Sequence, residues 1–173
     1  MKLGYSNIEK DLLKISEYIS DDGLKPELIA YIGNTPKEIG EFFAKFFRCE
    51  TCFLPSLRKK RNKSITKMIN PLYNHLPAGM LKIISQMYKT IYSMERIPPK
   101  DFELDKRFYD RGLILLVDDN TQTGRTLETW KRKIKDKTGK SACTFSLAVS
   151  GNYKPDYYCF DKWRSFKWRP IGI

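Results

Sequence analysis

The feature that most constrains the fold is an apolar run that ends abruptly in two acidic residues. Residues 113–117 are Leu-Ile-Leu-Leu-Val, and Asp118 and Asp119 follow directly. A continuous apolar run of this length is typical of a strand buried on both faces of a parallel sheet. Since open parallel sheets bind ligands beyond the carboxyl ends of their strands, the pattern predicts that both acids emerge at a binding site.

The turn after the acid pair is suited to a phosphate group. A helix that begins after Thr123 offers unpaired backbone N–H groups and the positive end of its dipole. The hydroxyls of Thr121, Thr123 and Thr126 add donors. Gly124 permits close approach of the backbone. Paired acids beside such a loop predict a ligand that carries both sugar hydroxyls and a phosphate.

The rest of the chain predicts an α/β fold, a single domain with a central, mainly parallel sheet flanked by helices. Strand, helix and strand follow one another early in the chain, which is typical of a βαβ unit. Thr35 is the expected N-cap of the second helix, with Pro36 at its first position. The predicted helices are 7–20, 36–47 and 127–137, and the predicted strands are 28–32, 49–54, 113–117 and 142–149.

Two stretches depart from the α/β pattern without indicating a second domain. Residues 56–111 include a basic run at 58–63 and a helix-forming stretch at 72–94. We expect a largely helical insertion there, within one domain that spans residues 1–173. From Tyr153 onward the chain is aromatic and basic.

Composition limits the environment and the partners. The 173 residues include 32 Lys and Arg against 20 Asp and Glu, a net charge of +12 that favours polyanionic partners. No stretch approaches the ~18 apolar residues of a membrane span, and the first residues lack the apolar segment of a signal peptide. The expected location is the cytoplasm, with no membrane partner.

The cysteines indicate neither a zinc site nor a redox centre. Cys49 and Cys52 form a lone C-x-x-C, and His75 is the only histidine, so a second ligand pair is missing. A redox C-x-x-C belongs at a helix start, whereas residues 49–52 have the pattern of a strand. We expect four reduced, mostly buried thiols and no metal site built from protein side chains.

The segment from Leu113 to Thr126 resembles the signature of the type I phosphoribosyltransferases: apolar strand, two acids, and threonine, glycine, any residue, threonine. In that family two acids contact the ribose 2′ and 3′ hydroxyls of phosphoribosyl pyrophosphate, a loop holds its 5′ phosphate, and Mg²⁺ bridges the pyrophosphate. The resemblance implies the first role for Asp118 and Asp119. It implies the phosphate role for Asn120, Thr121, Gln122, Thr123, Gly124, Arg125 and Thr126.

The resemblance extends over most of the chain and favours purine-type members. Residues 25–32 are similar to the strand that precedes their pyrophosphate loop, a role that falls here on Gly33, Asn34, Thr35 and Lys37. The tail from residue 153 is similar to their base-binding hood. Trp163 is then expected to stack on the base, and Lys154 to read its exocyclic oxygen. The alternative is that the aromatics of the tail only close a small core.

Two departures from the family pattern leave two functions open. Gln122 stands where purine-type members often carry an acid proposed as general base, and an amide cannot take a proton. The pyrophosphate loop lacks its usual second glycine. The first function is transfer of a phosphoribosyl group to a purine-like nucleobase, with small-molecule substrates and with a homodimer left open. The alternative is a non-catalytic regulatory protein that binds nucleotides or nucleic acid on the same fold.

Overall fold

The structure is a computed structural model that describes residues 5–57 and 102–161. Nearly all of them belong to one unit of the chain, residues 1–55 and 102–173. The second unit, residues 56–101, contributes only Ser56 and Leu57 to the description. Most of the predicted insertion therefore lies outside the described residues, together with the end of the predicted hood.

A five-stranded sheet organises the described chain, and every strand pair in it is parallel. The strands are β1 Leu28–Ile32, β2 Glu50–Leu54, β3 Ile114–Thr121, β4 Ala142–Val149 and β5 Tyr157–Phe160. Their spatial order is β2-β1-β3-β4-β5. Parallel strands require long crossover connections, which agrees with the helices found between β1 and β2 and between β3 and β4.

Helices cover both faces of the sheet. The described helices are α1 Tyr5–Asp21, α2 Lys37–Phe47, α3 Arg107–Asp110 and α4 Arg125–Thr138. In the strand order, the connection that follows β1 moves to one side and the connection that follows β3 moves to the other. Since parallel crossovers are right-handed, α2 and α4 must lie on opposite faces.

The apolar core follows from this layering. On the face covered by α1 and α2, the buried cluster includes Leu12 and Phe43 of the helices and Leu115 and Phe145 of the strands. On the opposite face, α4 buries Leu127, Trp130 and Ile134, which are spaced at three and four residues along one side of the helix. All eight residues of β4 are buried, as a strand covered on both faces requires.

The predicted elements are confirmed, with three corrections. Strands β1 and β4 have the predicted bounds, and the three predicted helices begin and end within two residues of the expected positions. Strand β3 runs to Thr121, so the acid pair lies inside the strand and not after it. Thr35 does not cap α2, because Pro36 occupies the N-cap and no side chain bonds there. Residues 157–160 of the predicted hood form the fifth strand of the main sheet.

One aspartate anchors that fifth strand. The Asp156 carboxylate accepts hydrogen bonds from the backbone N–H of Thr144 at 2.8 Å and from its hydroxyl at 2.9 Å. The Thr144 hydroxyl in turn accepts a bond from the Asp156 N–H at 2.9 Å. Lys131 of α4 lies 3.3 Å from the same carboxylate. These contacts tie the residue that precedes β5 to the third residue of β4.

We expect Asp156→Ala to lower the free energy of unfolding by about 1 to 3 kcal/mol, because the buried N–H of Thr144 loses a charged acceptor. Urea denaturation followed by far-UV circular dichroism measures the change. Lys131→Ala removes only the partly exposed ion pair and should cost about 0 to 1 kcal/mol. Equal effects of the two substitutions would contradict this account of the anchor.

All four cysteines are free thiols, as predicted. Cys52 and Cys143 are buried, and Cys49 and Cys159 are half-buried. Cys49 directly precedes β2 and Cys52 lies within it, which confirms the strand prediction for the C-x-x-C. Burial raises the pKa of Cys49 to about 11 and the pKa values of Cys143 and Cys159 to about 12.

The native thiols should therefore react slowly with iodoacetamide at pH 8, because only the thiolate is the nucleophile. At that pH about one in a thousand Cys49 side chains is a thiolate. Because the pKa is raised, labelling of the folded protein should accelerate as the pH increases toward 11. Mass spectrometry of labelled peptides measures the rates, with urea-unfolded protein as the fast control. Rapid labelling of native Cys49 at pH 8 would refute this prediction.

Candidate functional site

The strand order determines where a crevice opens. Strands β1 and β3 are neighbours, yet β1 continues to β2 on one side and β3 continues to β4 on the other. Such a reversal leaves a gap beyond the carboxyl ends of the two strands, where open α/β sheets bind their ligands. The loop after β1 contains Gly33, and the loop after β3 contains Gln122 to Gly124. Two separately predicted binding segments thus border one crevice.

Strand β3 projects past its neighbour on the β1 side. The pairing of β1 with β3 runs to Tyr31 and Val117, whereas the pairing of β3 with β4 continues to Thr121 and Val149. Residues 118–121 thus extend roughly 13 Å beyond the last β1 pair, at about 3.3 Å per residue. This segment, which holds the acid pair, forms one wall of the crevice.

The two acids of β3 have different surroundings. Successive side chains of a strand point to opposite faces, so Asp118 shares a face with its partner Ser146, and Asp119 points toward the α1 and α2 face. Asp119 is buried, with 7% of its surface exposed, and Asp118 is half-buried. One Asp118 oxygen accepts a hydrogen bond from the Asp119 N–H at 2.8 Å, which holds the carboxylate at this edge.

The predicted phosphate loop forms a tight turn into α4. Gly124 is the N-cap, with φ of +66°, a left-handed conformation that favours glycine. No described side chain caps this helix start, so the first-turn N–H groups are not occupied by a capping group. Around it, Thr121 and Gly124 are buried, Thr126 is half-buried, and the others are exposed: Gln122, Thr123 and Arg125.

The predicted pyrophosphate loop faces this wall from β1. Gly33 has φ of +78°, and its N–H donates to the carbonyl of Leu54 at 2.8 Å, which ties the loop to the end of β2. The backbone carbonyl of Asn34 accepts a weak bond from the N–H of Lys37 at 3.4 Å. The ammonium group of Lys37 lies on the exposed surface, 3.6 Å from Glu41. The loop stands beside the acid pair, at the carboxyl end of the adjacent strand.

Sequence analysis missed a third segment at this edge, residues 150–153, here called the docking segment. The N–H of Ser150 donates to the carbonyl of Thr121 at 2.8 Å. A Cβ at Gly151 would overlap the carbonyl oxygen of Gln122, so only glycine fits there. Gly151 could be noted in the sequence, but its contact with Gln122 joins residues that are far apart in the chain, so no local pattern predicts that contact.

Lys154 directly follows the docking segment. It lies two residues before Asp156, which is tied to Thr144, the third residue of β4. Its ammonium group lies 3.2 Å from the phenol oxygen of Tyr158. The base-reading role of Lys154 stays a prediction, and Trp163 lies outside the described residues.

None of the helices that the structure describes is long and apolar enough to cross a membrane.

Comparison with known proteins gives a fold and no close sequence relative. Neither a protein-family model nor a curated protein sequence matches the chain. Among solved structures, the chain is similar to the Helicobacter pylori xanthine-guanine-hypoxanthine phosphoribosyltransferase, with a TM-score of 0.63 at 16% identity over 97% of this chain and 93% of that one. It is also similar to the Pyrococcus horikoshii purine phosphoribosyltransferase, with a TM-score of 0.64 at 17% identity over 100% and 96% of the two chains.

A third similar structure is a hypothetical protein from Neisseria gonorrhoeae with bound ppGpp, with a TM-score of 0.59 at 12% identity over 99% of this chain and 92% of that one. These identities are low, so the likeness concerns the fold. The five-stranded parallel sheet and its flanking helices agree with it. The chain therefore has the type I phosphoribosyltransferase fold, and the two named enzymes that it resembles belong to the purine branch.

Proposed function

We propose that this protein is a phosphoribosyltransferase that binds phosphoribosyl pyrophosphate with Mg²⁺ and transfers the phosphoribosyl group to a purine-like base. One observation carries the proposal: the acid pair of β3, the turn into α4 and the Gly33 loop all border the crevice at the strand-order reversal. That crevice matches a ligand with ribose hydroxyls at its centre and phosphates at both ends.

The chemistry of each wall suits one part of this ligand. Carboxylates accept hydrogen bonds from the two ribose hydroxyls, the role of Asp118 and Asp119. The start of α4 binds the 5′ phosphate, because its uncapped N–H groups and dipole favour an anion. The loop of Gly33 and Asn34 receives the pyrophosphate end.

The donor set fits a magnesium ion that is held mainly by the substrate. Among residues 5–57 and 102–161, no group of three or more His, Cys, Asp or Glu side chains converges on a metal site. Mg²⁺ commonly keeps several waters and binds substrate phosphates with one or two carboxylates, and Asp118 or Asp119 would supply a carboxylate of this kind beside the bound substrate. When bound, the ion neutralises the charge of the pyrophosphate.

The reaction is a substitution at the anomeric carbon of the ribose. A ring nitrogen of the base forms the new bond, and the bond to pyrophosphate breaks with its electron pair leaving on the pyrophosphate. The protein contributes mainly by holding the reactants in place and stabilising charge. Gln122 is exposed at the crevice, and its amide can form hydrogen bonds but cannot take a proton. The proton of the base therefore passes to solvent or to the leaving group.

The proposal also covers the acceptor base, the partners and the cellular location. Purine acceptors are supported by the two purine-type phosphoribosyltransferases that have this fold, and the similar structure from Neisseria gonorrhoeae holds ppGpp, a purine nucleotide. The partners are small-molecule substrates, with a homodimer compatible with the proposal, and the setting is the cytoplasm.

We expect the double substitution Asp118→Asn with Asp119→Asn to weaken phosphoribosyl pyrophosphate binding, since two charge-assisted hydrogen bonds at about 1.5 to 3 kcal/mol each become neutral ones. Isothermal titration calorimetry with phosphoribosyl pyrophosphate and Mg²⁺ measures the loss. Asp136→Asn removes an exposed carboxylate near the far end of α4, away from the crevice, and is the control.

Circular dichroism must show that the double variant keeps its fold. A folded double variant with wild-type affinity would refute the role of the acid pair. A wild-type protein that binds no phosphoribosyl pyrophosphate would refute the proposed function itself.

The distribution of charge favours a second candidate function, binding of a nucleic-acid strand. The described residues carry seventeen Lys and Arg against eighteen Asp and Glu, whereas the remaining residues carry fifteen against two. The entire positive surplus therefore belongs to residues 1–4, 58–101 and 162–173. A nearly neutral α/β core joined to basic segments is also typical of proteins that bind polyanions.

Salt separates the two functions. A free base in a pocket adds no phosphate contacts, so its Michaelis constant should change little between about 50 and 200 mM salt, whereas nucleic-acid affinity falls steeply in this range. We expect turnover of a purine base with weak oligonucleotide binding, and Trp163→Ala should raise the Michaelis constant for the base. Tight, salt-dependent oligonucleotide binding without turnover of any base would favour the second function.

A further inference from the structure

The docking segment, residues 150–153, contacts the phosphate loop at both of its ends. Its first residue bonds to Thr121, and Gly151 packs against the backbone of Gln122. Its last residue, Tyr153, reaches the turn at Gly124 and the first turn of α4. The segment follows β4 and leads toward β5, so it connects the predicted phosphate site to the edge strand of the sheet.

The ring of Tyr153 lies directly on Gly124. A Cβ at position 124 would overlap the ring atoms of Tyr153, so the ring covers one face of this glycine. Gly124 thus meets two demands, the left-handed φ and the aromatic contact. The sequence pattern predicts only the approach of a phosphate at this glycine.

The phenol of Tyr153 adds a polar contact one turn into the helix. It donates to a carboxylate oxygen of Glu128 at 2.5 Å, and the N–H of Glu128 closes the first turn by donating to the carbonyl of Gly124 at 2.9 Å. Burial, and then the bond to Glu128, raise the pKa of Tyr153, so the phenol keeps its proton at neutral pH.

We infer that Tyr153 is a positioning residue for the 5′ phosphate: its ring and phenol together hold the turn from Gln122 to Gly124 and the first turn of α4 in the anion-binding conformation. The inference rests on the proposed function and deepens it. Tyr153 acts through Gly124 and Glu128, without touching the ligand.

The chain offers a matched control for this role. Tyr157 also donates a phenol hydrogen bond to a carboxylate, that of Asp22, at 2.6 Å. It lies four residues from Tyr153, at the start of β5, and its partner directly follows α1, away from the phosphate loop. Tyr153→Phe and Tyr157→Phe therefore each remove a phenol–carboxylate bond, and only the first removes a contact to the helix start.

The test compares three measurements in the full-length protein: hydrogen exchange of residues 121–128, affinity for ribose 5-phosphate, and affinity for pyrophosphate alone. In Tyr153→Phe we expect faster exchange and about tenfold weaker ribose 5-phosphate binding, as for loss of one bond to a charged group. Pyrophosphate binding should be unchanged, since the Gly33 loop receives it. Tyr157→Phe should match wild type in all three measurements.

Each failure has a distinct meaning. If wild type binds neither ribose 5-phosphate nor phosphoribosyl pyrophosphate, the proposed function fails, and this inference fails with it. If wild type binds both and Tyr153→Phe binds ribose 5-phosphate with wild-type affinity, the positioning role alone is wrong. Equal losses in Tyr157→Phe, or a parallel loss of pyrophosphate binding, would indicate a general structural effect and would overturn the role.

Discussion

The parallel pairing of β3 between β1 and β4 is the constraint on which the site depends. It places two connections that run in opposite directions next to each other, and the reversal opens a crevice between the carboxyl ends of β1 and β3. The pairing also lets β3 continue four residues beyond its last partner in β1 because β4 supports it. Without that support, residues 118–121 would have no ladder to hold the acid pair at the crevice.

The crevice is assembled from loops that are held by backbone contacts more than by side chains. Gly33 is tied to the end of β2, Ser150 is tied to the end of β3, and Gly151 fits only against the backbone of Gln122. Glycines recur at these places because two main chains meet there or because φ is positive. Loops that are already held by such contacts reduce the ordering cost when a small ligand binds.

The positive charge of the chain is concentrated outside the α/β core. The α/β core is close to neutral, so the net charge of +12 does not arise from the fold that forms the crevice. Strands β2 and β5 both end at the crevice edge of the sheet, and the chain continues from each of them into a basic stretch of sequence.

The sequence by itself determined the elements and the chemistry of one loop. Apolar runs predicted β1, β3 and β4, and the two acids with T-G-R-T predicted a sugar-phosphate site, because both signals are local in the chain. Only the tertiary structure decided that β3 extends through the acids, that Tyr157–Phe160 is a strand, and that Tyr153 lies on Gly124. Strand pairing and close packing join residues far apart in sequence, so no local pattern records them.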